Sequence, residues 1–105
     1  MLVCGAYAAQ AAQQATLIDA SPSPDSVIVA EPSEIALSFS APIREIRIRR
    51  FMDGRLLSDD AARIDRTLAT VAAGAEGEGR YLIDWKGTDV DGLPVGGAYG
   101  FTVDS

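Results

Sequence analysis

The sequence contains no histidine and a single cysteine, Cys4, among its 105 residues. Histidine is the usual general base near neutral pH, and cysteine and histidine are the usual zinc ligands. This composition excludes a Ser-His-Asp triad, a Cys/His zinc site, an intramolecular disulfide and a blue-copper centre, which needs two histidines and a cysteine. No other pairing supplies a base poised near neutral pH or an activated nucleophile, so we expect no enzymatic activity.

Positive charge is also scarce, since nine Lys and Arg residues face fifteen Asp and Glu residues and the formal net charge is −6. Nucleic-acid binding needs a clustered positive surface, so we expect no nucleic-acid partner. No segment approaches the roughly 20 consecutive apolar residues of a membrane-spanning helix. With 48% hydrophobic and 23% charged residues, the chain has the composition of one globular domain.

Residues 1–13 differ in composition from the remainder, being mildly apolar and rich in Ala and Gln. Ala9-Gln10-Ala11 has the small-x-small form of a signal-peptide cleavage site. No positively charged stretch precedes the short apolar run, so the export signal is incomplete in this chain. We interpret residues 1–13 as a truncated export signal, with a disordered leader as the alternative, and residues 14–105 as a single domain.

Alternation of apolar and polar residues with period two predicts short strands across this domain. Ile35, Leu37 and Phe39 would face the core from one strand, and Ile46 and Ile48 from the next. Residues 58–73 are ambiguous, because apolar residues there fit both a helix and a strand. We predict strand, since everything flanking this segment is β.

The strand that carries Ile46 and Ile48 also carries a basic stripe, formed by Arg44, Arg47, Arg49 and Arg50. We interpret the stripe as a solvated strand face balanced by nearby acids, and the alternative is a surface for an anionic partner. Strict alternation would turn Arg50 inward and Phe51 outward. We therefore predict a β-bulge near Arg50 that lets Phe51 face the core.

About seven short strands, with turn signals every ten residues, predict an all-β fold. The expected architecture is a Greek-key β-sandwich or flattened barrel of Ig-like form. Trp85, Tyr99 and Phe101 are either a stacking platform for a ligand or core aromatics, and their period-two spacing favours the core.

A Gly- and Pro-rich loop at residues 89–97 separates the last two predicted strands. Loops held between well-defined strands commonly carry function. Together with Asp84, the loop residues Asp89 and Asp91 could form a Ca²⁺ or Mg²⁺ site, although the pattern of a calcium loop is incomplete. The alternative is that Asp89 and Asp91 bond to backbone amides in their own turn, with Gly92 at a positive-φ position.

Three phrases of the sequence together match one known pattern, in order and at the right distances. The first is Leu17 followed by Ser21-Pro22. The second is the Pro-x-x-x-x-Leu-x-Phe-Ser-x-Pro-Ile phrase at residues 32–43. The third is residues 79–85, followed by Asp91-Gly92-Leu93-Pro94-Val95-Gly96-Gly97 and the Tyr-x-Phe-x-Val strand at 99–103. Over residues 14–104 the chain resembles the CopC-like copper-resistance domains, which are periplasmic Greek-key β-barrels of Ig-like appearance.

The resemblance implies a Cu(II) site made from an N-terminal histidine, a loop aspartate and a loop histidine two residues later. In this sequence those positions are Gln14, Asp91 and Leu93, so only the carboxylate is present. The Met-rich Cu(I) site of some members is absent too, since the methionines are Met1 and Met52.

The expected function is therefore that of a periplasmic, non-enzymatic copper-handling or copper-resistance domain with weak or lost Cu(II) affinity. Its expected partner is a copper-transport or membrane protein. The alternative is a metal-free Ig-like β-sandwich that serves as an interaction or structural module, with the arginine stripe and the edge of the loop as its contact surface.

Overall fold

The computed structural model describes residues 15–74 and 77–104, and every regular element in them is a β-strand. The nine strands are β1 (Leu17–Ser21), β2 (Val27–Ile28), β3 (Glu34–Phe39), β4 (Ile43–Met52), β5 (Arg55–Ala61), β6 (Arg63–Asp65), β7 (Leu68–Ala72), β8 (Gly79–Asp89) and β9 (Pro94–Val103). The leader predicted at residues 1–13 lies outside the described residues. Within the described part of the chain, no helix is long and apolar enough to cross a membrane.

The strands form two sheets that face each other as a sandwich. One sheet has four strands in the order β1-β3-β7-β6, and the other has five in the order β2-β9-β8-β4-β5. The predicted all-β sandwich is confirmed, and the described strands do not close into a barrel. The count exceeds seven in part because residues 58–73, expected as one strand, contain the end of β5 and all of β6 and β7.

The strand prediction for residues 58–73 is confirmed, with one correction to its course. The segment is not one continuous alternating strand, because β6 and β7 form a hairpin in which Asp65 pairs with Leu68. Arg66, expected within the strand, has φ 62 and lies in the turn between them. The hairpin lets the two strands pair with each other and adds β6 to the edge of the four-stranded sheet.

The structure contains the bulge expected near Arg50, but its extra residue is in β5. Arg50 pairs with Ser58 and Phe51 with Leu56, which leaves Leu57 as the additional residue. The expectation that Phe51 faces the core is wrong, because β4 keeps an unbroken register with β8 here and must continue its alternation. Arg50 is therefore buried and donates from Nε to Ser58 Oγ at 2.9 Å.

The space between the sheets is filled by aliphatic and aromatic side chains, as the period-two pattern predicted. The expectation that Trp85, Tyr99 and Phe101 are core aromatics is confirmed, since all three are buried. Phe101 stacks on Tyr81 with ring centroids 5.2 Å apart. Trp85 lies over the backbone of β9, where a Cβ on Gly97 would come within 2.7 Å of its ring. Gly97 is therefore the residue that lets the indole approach the strand.

The loop between β8 and β9 is held by the carboxylate of Asp89, which is only 3% exposed. Its Oδ1 accepts hydrogen bonds from the backbone N–H groups of Asp91 and Leu93, both at 2.9 Å. The backbone of Asp89 also bonds to Leu93 O and to Gly92 N–H, each at 3.0 Å. Gly92 has φ 84, as expected for its turn position. The interpretation of Asp89 as a residue that bonds within its own turn is confirmed.

Among residues 15–74 and 77–104, two buried side-chain oxygens have no hydrogen-bond partner, Thr88 Oγ1 and the hydroxyl of the core residue Tyr99. Tyr99 is 8% exposed, and its hydroxyl has no hydrogen-bond partner among residues 15–74 and 77–104. Burial raises the pKa of Tyr99 from 10.0 to about 12, because the phenolate would lose its hydration. The neighbouring Tyr81 differs, since its hydroxyl donates to Gly77 O at 2.6 Å.

We predict that Tyr99→Phe raises the free energy of unfolding near pH 7 by about 1 kcal/mol, because it removes a buried unpaired hydroxyl and keeps the ring. A pKa that is higher in the folded state contributes stability below the unfolded-state pKa, and this is lost as pH rises through the folded-state pKa. The wild type should therefore lose stability between pH 10.0 and about 12, and the variant should lose less. Urea unfolding across this range measures both effects.

The matched control is Tyr81→Phe, which deletes a hydroxyl that has a partner and should lower stability by about 1 kcal/mol. Equal destabilisation by the two variants would show that the Tyr99 hydroxyl is paired in solution.

We also predict that Asp89→Ala lowers the free energy of unfolding by about 1–3 kcal/mol, because two loop amides lose a charged acceptor. Asp89→Asn, which keeps an acceptor oxygen, should cost less. Asp91→Ala removes an exposed carboxylate two residues away and should change stability by no more than about 0.5 kcal/mol. Denaturant titration of the three variants tests the assignment, and a larger cost at Asp91 than at Asp89 would contradict it.

Candidate functional site

The loop held by Asp89 presents Asp91 to solvent at one end of the sandwich. Asp91 is exposed, and within the described residues no hydrogen bond or ion pair of its carboxylate is present. Leu93, two residues later, is half-buried and offers no metal donor. The expectation that Asp91 also bonds within the turn has no support in this geometry. Of the loop's carboxylates, Asp91 is the one left for an external ligand.

The beginning of the described chain lies at the same end of the sandwich as this loop. Thr16 N–H donates to Ser40 Oγ at 2.9 Å, and Ser40 N–H donates to Thr16 O at 2.8 Å. Pro42 O accepts the N–H of Val90, at 3.3 Å. The segment at residues 40–42 therefore contacts both the entry to β1 and the loop. Gln14 itself lies outside the described residues.

The three aspartates considered for Ca²⁺ or Mg²⁺ are not brought together. Asp84 lies on the outer face of β8 and pairs with Arg49 at 3.1 Å. Asp89 is buried and already serves the loop, whereas Asp91 is exposed. Among residues 15–74 and 77–104, no group of three or more His, Cys, Asp or Glu side chains is placed to hold a metal ion. Asp84 and Asp89 lie five residues apart on β8, so they point to opposite faces of the sheet, and Asp91 lies in the turn after the strand.

The described residues do not fit a complete Cu(II) site either. Cu(II) favours tetragonal sets of nitrogen and oxygen donors. The loop offers the single carboxylate of Asp91, and Leu93 occupies the position at which the resemblance implies an imidazole. A side chain without lone pairs cannot replace that ligand, whatever its orientation. The described part of the chain therefore provides one donor group where several are needed.

The basic stripe is organised differently from the sequence expectation. Arg47 pairs with Asp59 at 2.7 Å and Arg49 with Asp84 at 3.1 Å, so the interpretation as a strand face balanced by acids is confirmed for these two. Including Arg50 in the stripe was wrong, because that side chain is turned to the buried face. Arg44 donates from Nη2 to Val90 O at 3.0 Å and so connects the stripe to the loop.

An open groove lies along this face, and nothing in the sequence analysis identified it. Its volume is about 620 Å³. Its floor is the outer side of β4, one wall is β8 with Asp84, Lys86 and Thr88, and the other wall is the crossover from β5 to β6 at residues 61–64. The sequence analysis did not single out Lys86, because its position opposite Arg47 is revealed only by the register of β4 with β8.

Comparison with solved structures supports the fold. CopC from Methylosinus trichosporium OB3b is similar, with a TM-score of 0.81 and 28% sequence identity, covering 86% of this chain and 93% of that chain. PcoC, a methionine-rich copper resistance protein from Escherichia coli, shares the fold with a TM-score of 0.64 and 23% identity, covering 88% of this chain and 100% of that chain.

Comparison of the sequence with curated proteins finds no match. The family model for the CopC domain matches residues 17–104, which include all nine strands and the loop between β8 and β9. This chain therefore belongs to the CopC domain family.

Proposed function

We propose that this protein is a non-enzymatic copper-handling or copper-resistance domain whose own Cu(II) affinity is weak or lost. Membership of the CopC domain family and the similarity to CopC of Methylosinus trichosporium OB3b support the copper-handling role. The loop after β8 is the observation that supports weak affinity. It has an exposed Asp91, and Leu93 stands where the resemblance implies the second loop ligand.

The hydrogen bonds of residues 40–42 support the loop end of the sandwich as the place of metal contact. The entry to β1 and the loop after β8 are both bonded to residues 40–42, so Thr16 and the loop that carries Asp91 belong to the same end of the sandwich. Under this proposal, a chain cut just before Gln14 would contribute an α-amine as a second donor. One amine and one carboxylate make an incomplete donor set, and such a site would hold Cu(II) loosely.

An incomplete site is consistent with a partner that supplies the missing donors. Under this proposal, residues 1–13 belong to an export signal, residues 14–105 form a single periplasmic domain, and the partner is a copper-transport or membrane protein. Membership of the CopC domain family motivates this role.

The second candidate function is a metal-free interaction or structural module. It is favoured by the fact that Asp89 shapes the loop through its own hydrogen bonds, with no need for a metal ion. The two candidates differ in whether any copper is retained under competition.

The test is a Cu(II) titration of the exported protein against a competing chelator. We predict little retention by the wild type. On a chain that begins at residue 14, Gln14→His together with Leu93→His should raise the apparent affinity by more than about tenfold, or about 1.4 kcal/mol, because two imidazoles join the carboxylate. Adding Asp91→Asn to that double variant should reverse much of the gain.

Three results would each exclude part of the proposal. Tight retention by the wild type would contradict the weak affinity. A double variant that still ignores copper would show that Gln14, Asp91 and Leu93 are not the family's ligand positions. If copper is retained and affinity capture from periplasmic extract finds no partner, the metal-free interaction module is excluded.

A further inference from the structure

The groove over β4 has the size of a small-molecule site. Its volume of about 620 Å³ falls within the roughly 300–1,000 Å³ that is typical of ligand pockets. It is lined by exposed charged residues of β4 and β8, and it reaches the edge of the sandwich at Ala62 and Ile64, which pack against the core.

The lining carries a local excess of positive charge in a protein whose formal net charge is −6. Four cations and three carboxylates line it, and two of the cations are neutralised in the ion pairs Arg47–Asp59 and Arg49–Asp84. Arg44 is engaged by a backbone carbonyl, which carries no formal charge. Lys86 is exposed, and within residues 15–74 and 77–104 no ion pair or hydrogen bond of its ammonium is present.

Lys86 lies directly opposite Arg47 in the antiparallel pairing of β4 with β8. Like charges at directly opposed positions destabilise a sheet, because their Cβ atoms are only about 4.5–5.5 Å apart. Asp59 already accepts two hydrogen bonds from Arg47, from Nε to its Oδ1 at 2.7 Å and from Nη2 to its backbone O at 3.2 Å. An oxyanion placed between Lys86 and the remaining N–H groups of the Arg47 guanidinium would relieve this repulsion.

The opposite wall is apolar and small-sided. Ala61 ends β5, Ala62 connects it to β6 and Ile64 lies in β6, and the N–H of Ala62 bonds to Ile46 O at 2.8 Å, which fixes the crossover against β4. The two alanines leave room beside Ile64 for the non-polar part of a ligand. The groove thus presents cations along one wall and hydrocarbon along the other.

We propose that this groove binds an apolar monocarboxylate, with its carboxylate between Arg47 and Lys86 and its apolar part against Ala61, Ala62 and Ile64. The excess of one positive charge in the lining matches one carboxylate. A phosphate dianion would leave the groove with excess negative charge beside Asp59, Asp84 and Glu45. The proposal does not depend on copper, because it uses none of the loop ligands.

A free organic acid and the C-terminal carboxylate of an apolar peptide share this chemistry. The experiment therefore has two ligand arms, hexanoate and the peptide N-acetyl-Ala-Leu with a free C-terminus. Hexanol and hexylamine serve as neutral and cationic analogues, and inorganic phosphate tests the charge argument. Binding is followed by ¹⁵N–¹H NMR titration of the full chain in a phosphate-free buffer at low ionic strength.

We predict saturable shifts of the amides of Arg47, Lys86 and Ala61 with at least one of the two carboxylates. Lys86→Gln should weaken that binding about tenfold, because it removes one of the two cations that hold the carboxylate. The matched control is Arg55→Gln, which removes one exposed positive charge from the same sheet outside the groove and should leave the affinity unchanged.

Tighter binding of hexanoate identifies a free acid as the ligand type, and tighter binding of the peptide identifies a chain end. The proposal is overturned if neither carboxylate gives saturable shifts, if hexanol or phosphate binds as well as hexanoate, or if Arg55→Gln weakens binding as much as Lys86→Gln. Both variants are at exposed positions, so their spectra will show directly that the fold is retained.

Discussion

The antiparallel pairing of β8 with β9 is the interaction on which the other features depend. The two strands stay in unbroken register from the pair Gly79–Val103 to the pair Thr88–Pro94. This register sets Trp85 opposite Gly97, where the absence of a Cβ lets the indole lie against the strand. It also fixes the two ends of the loop at residues 90–93. The core, the loop and one wall of the groove all follow from this single ladder.

The loop keeps its shape through the carboxylate of Asp89 and backbone groups, so its shape does not depend on the side chains of Asp91 or Leu93. The buried carboxylate of Asp89 accepts both loop amides, and Gly92 takes the left-handed turn position. Residue 93 takes part in this arrangement through its backbone N–H and C=O, so a leucine at this position leaves the turn intact. A family scaffold can therefore persist with a reduced donor set, and this is the physical basis for separating the fold from copper affinity.

Much of the fold was predictable, because period-two alternation reports which face of a strand is buried. Ile35, Leu37 and Phe39 follow that rule and lie in the core, and so do the four aromatic residues of β8 and β9. Arg50 and Phe51 did not follow expectation, since residue polarity suggested a bulge in β4, whereas the register with β8 forces β4 to continue its alternation. For the candidate site, the sequence led us to propose Asp91 as a ligand and Leu93 at a second ligand position, but it did not reveal that Asp84 and Asp89 are already engaged.

The sequence by itself determined the all-β class, the family, the core faces of the strands and the absence of histidine donors, because each is a local property of residue type and spacing. Tertiary structure alone decided which charges meet. The pairing of β4 with β8 sets Arg47 opposite Lys86 and lets Arg49 form an ion pair with Asp84. The pairing of β4 with β5 sets Ala61, Ala62 and Ile64 as a wall beside these charges. The groove is a product of non-local strand pairing, and the loop that first stands out in the sequence is one end of that same sheet.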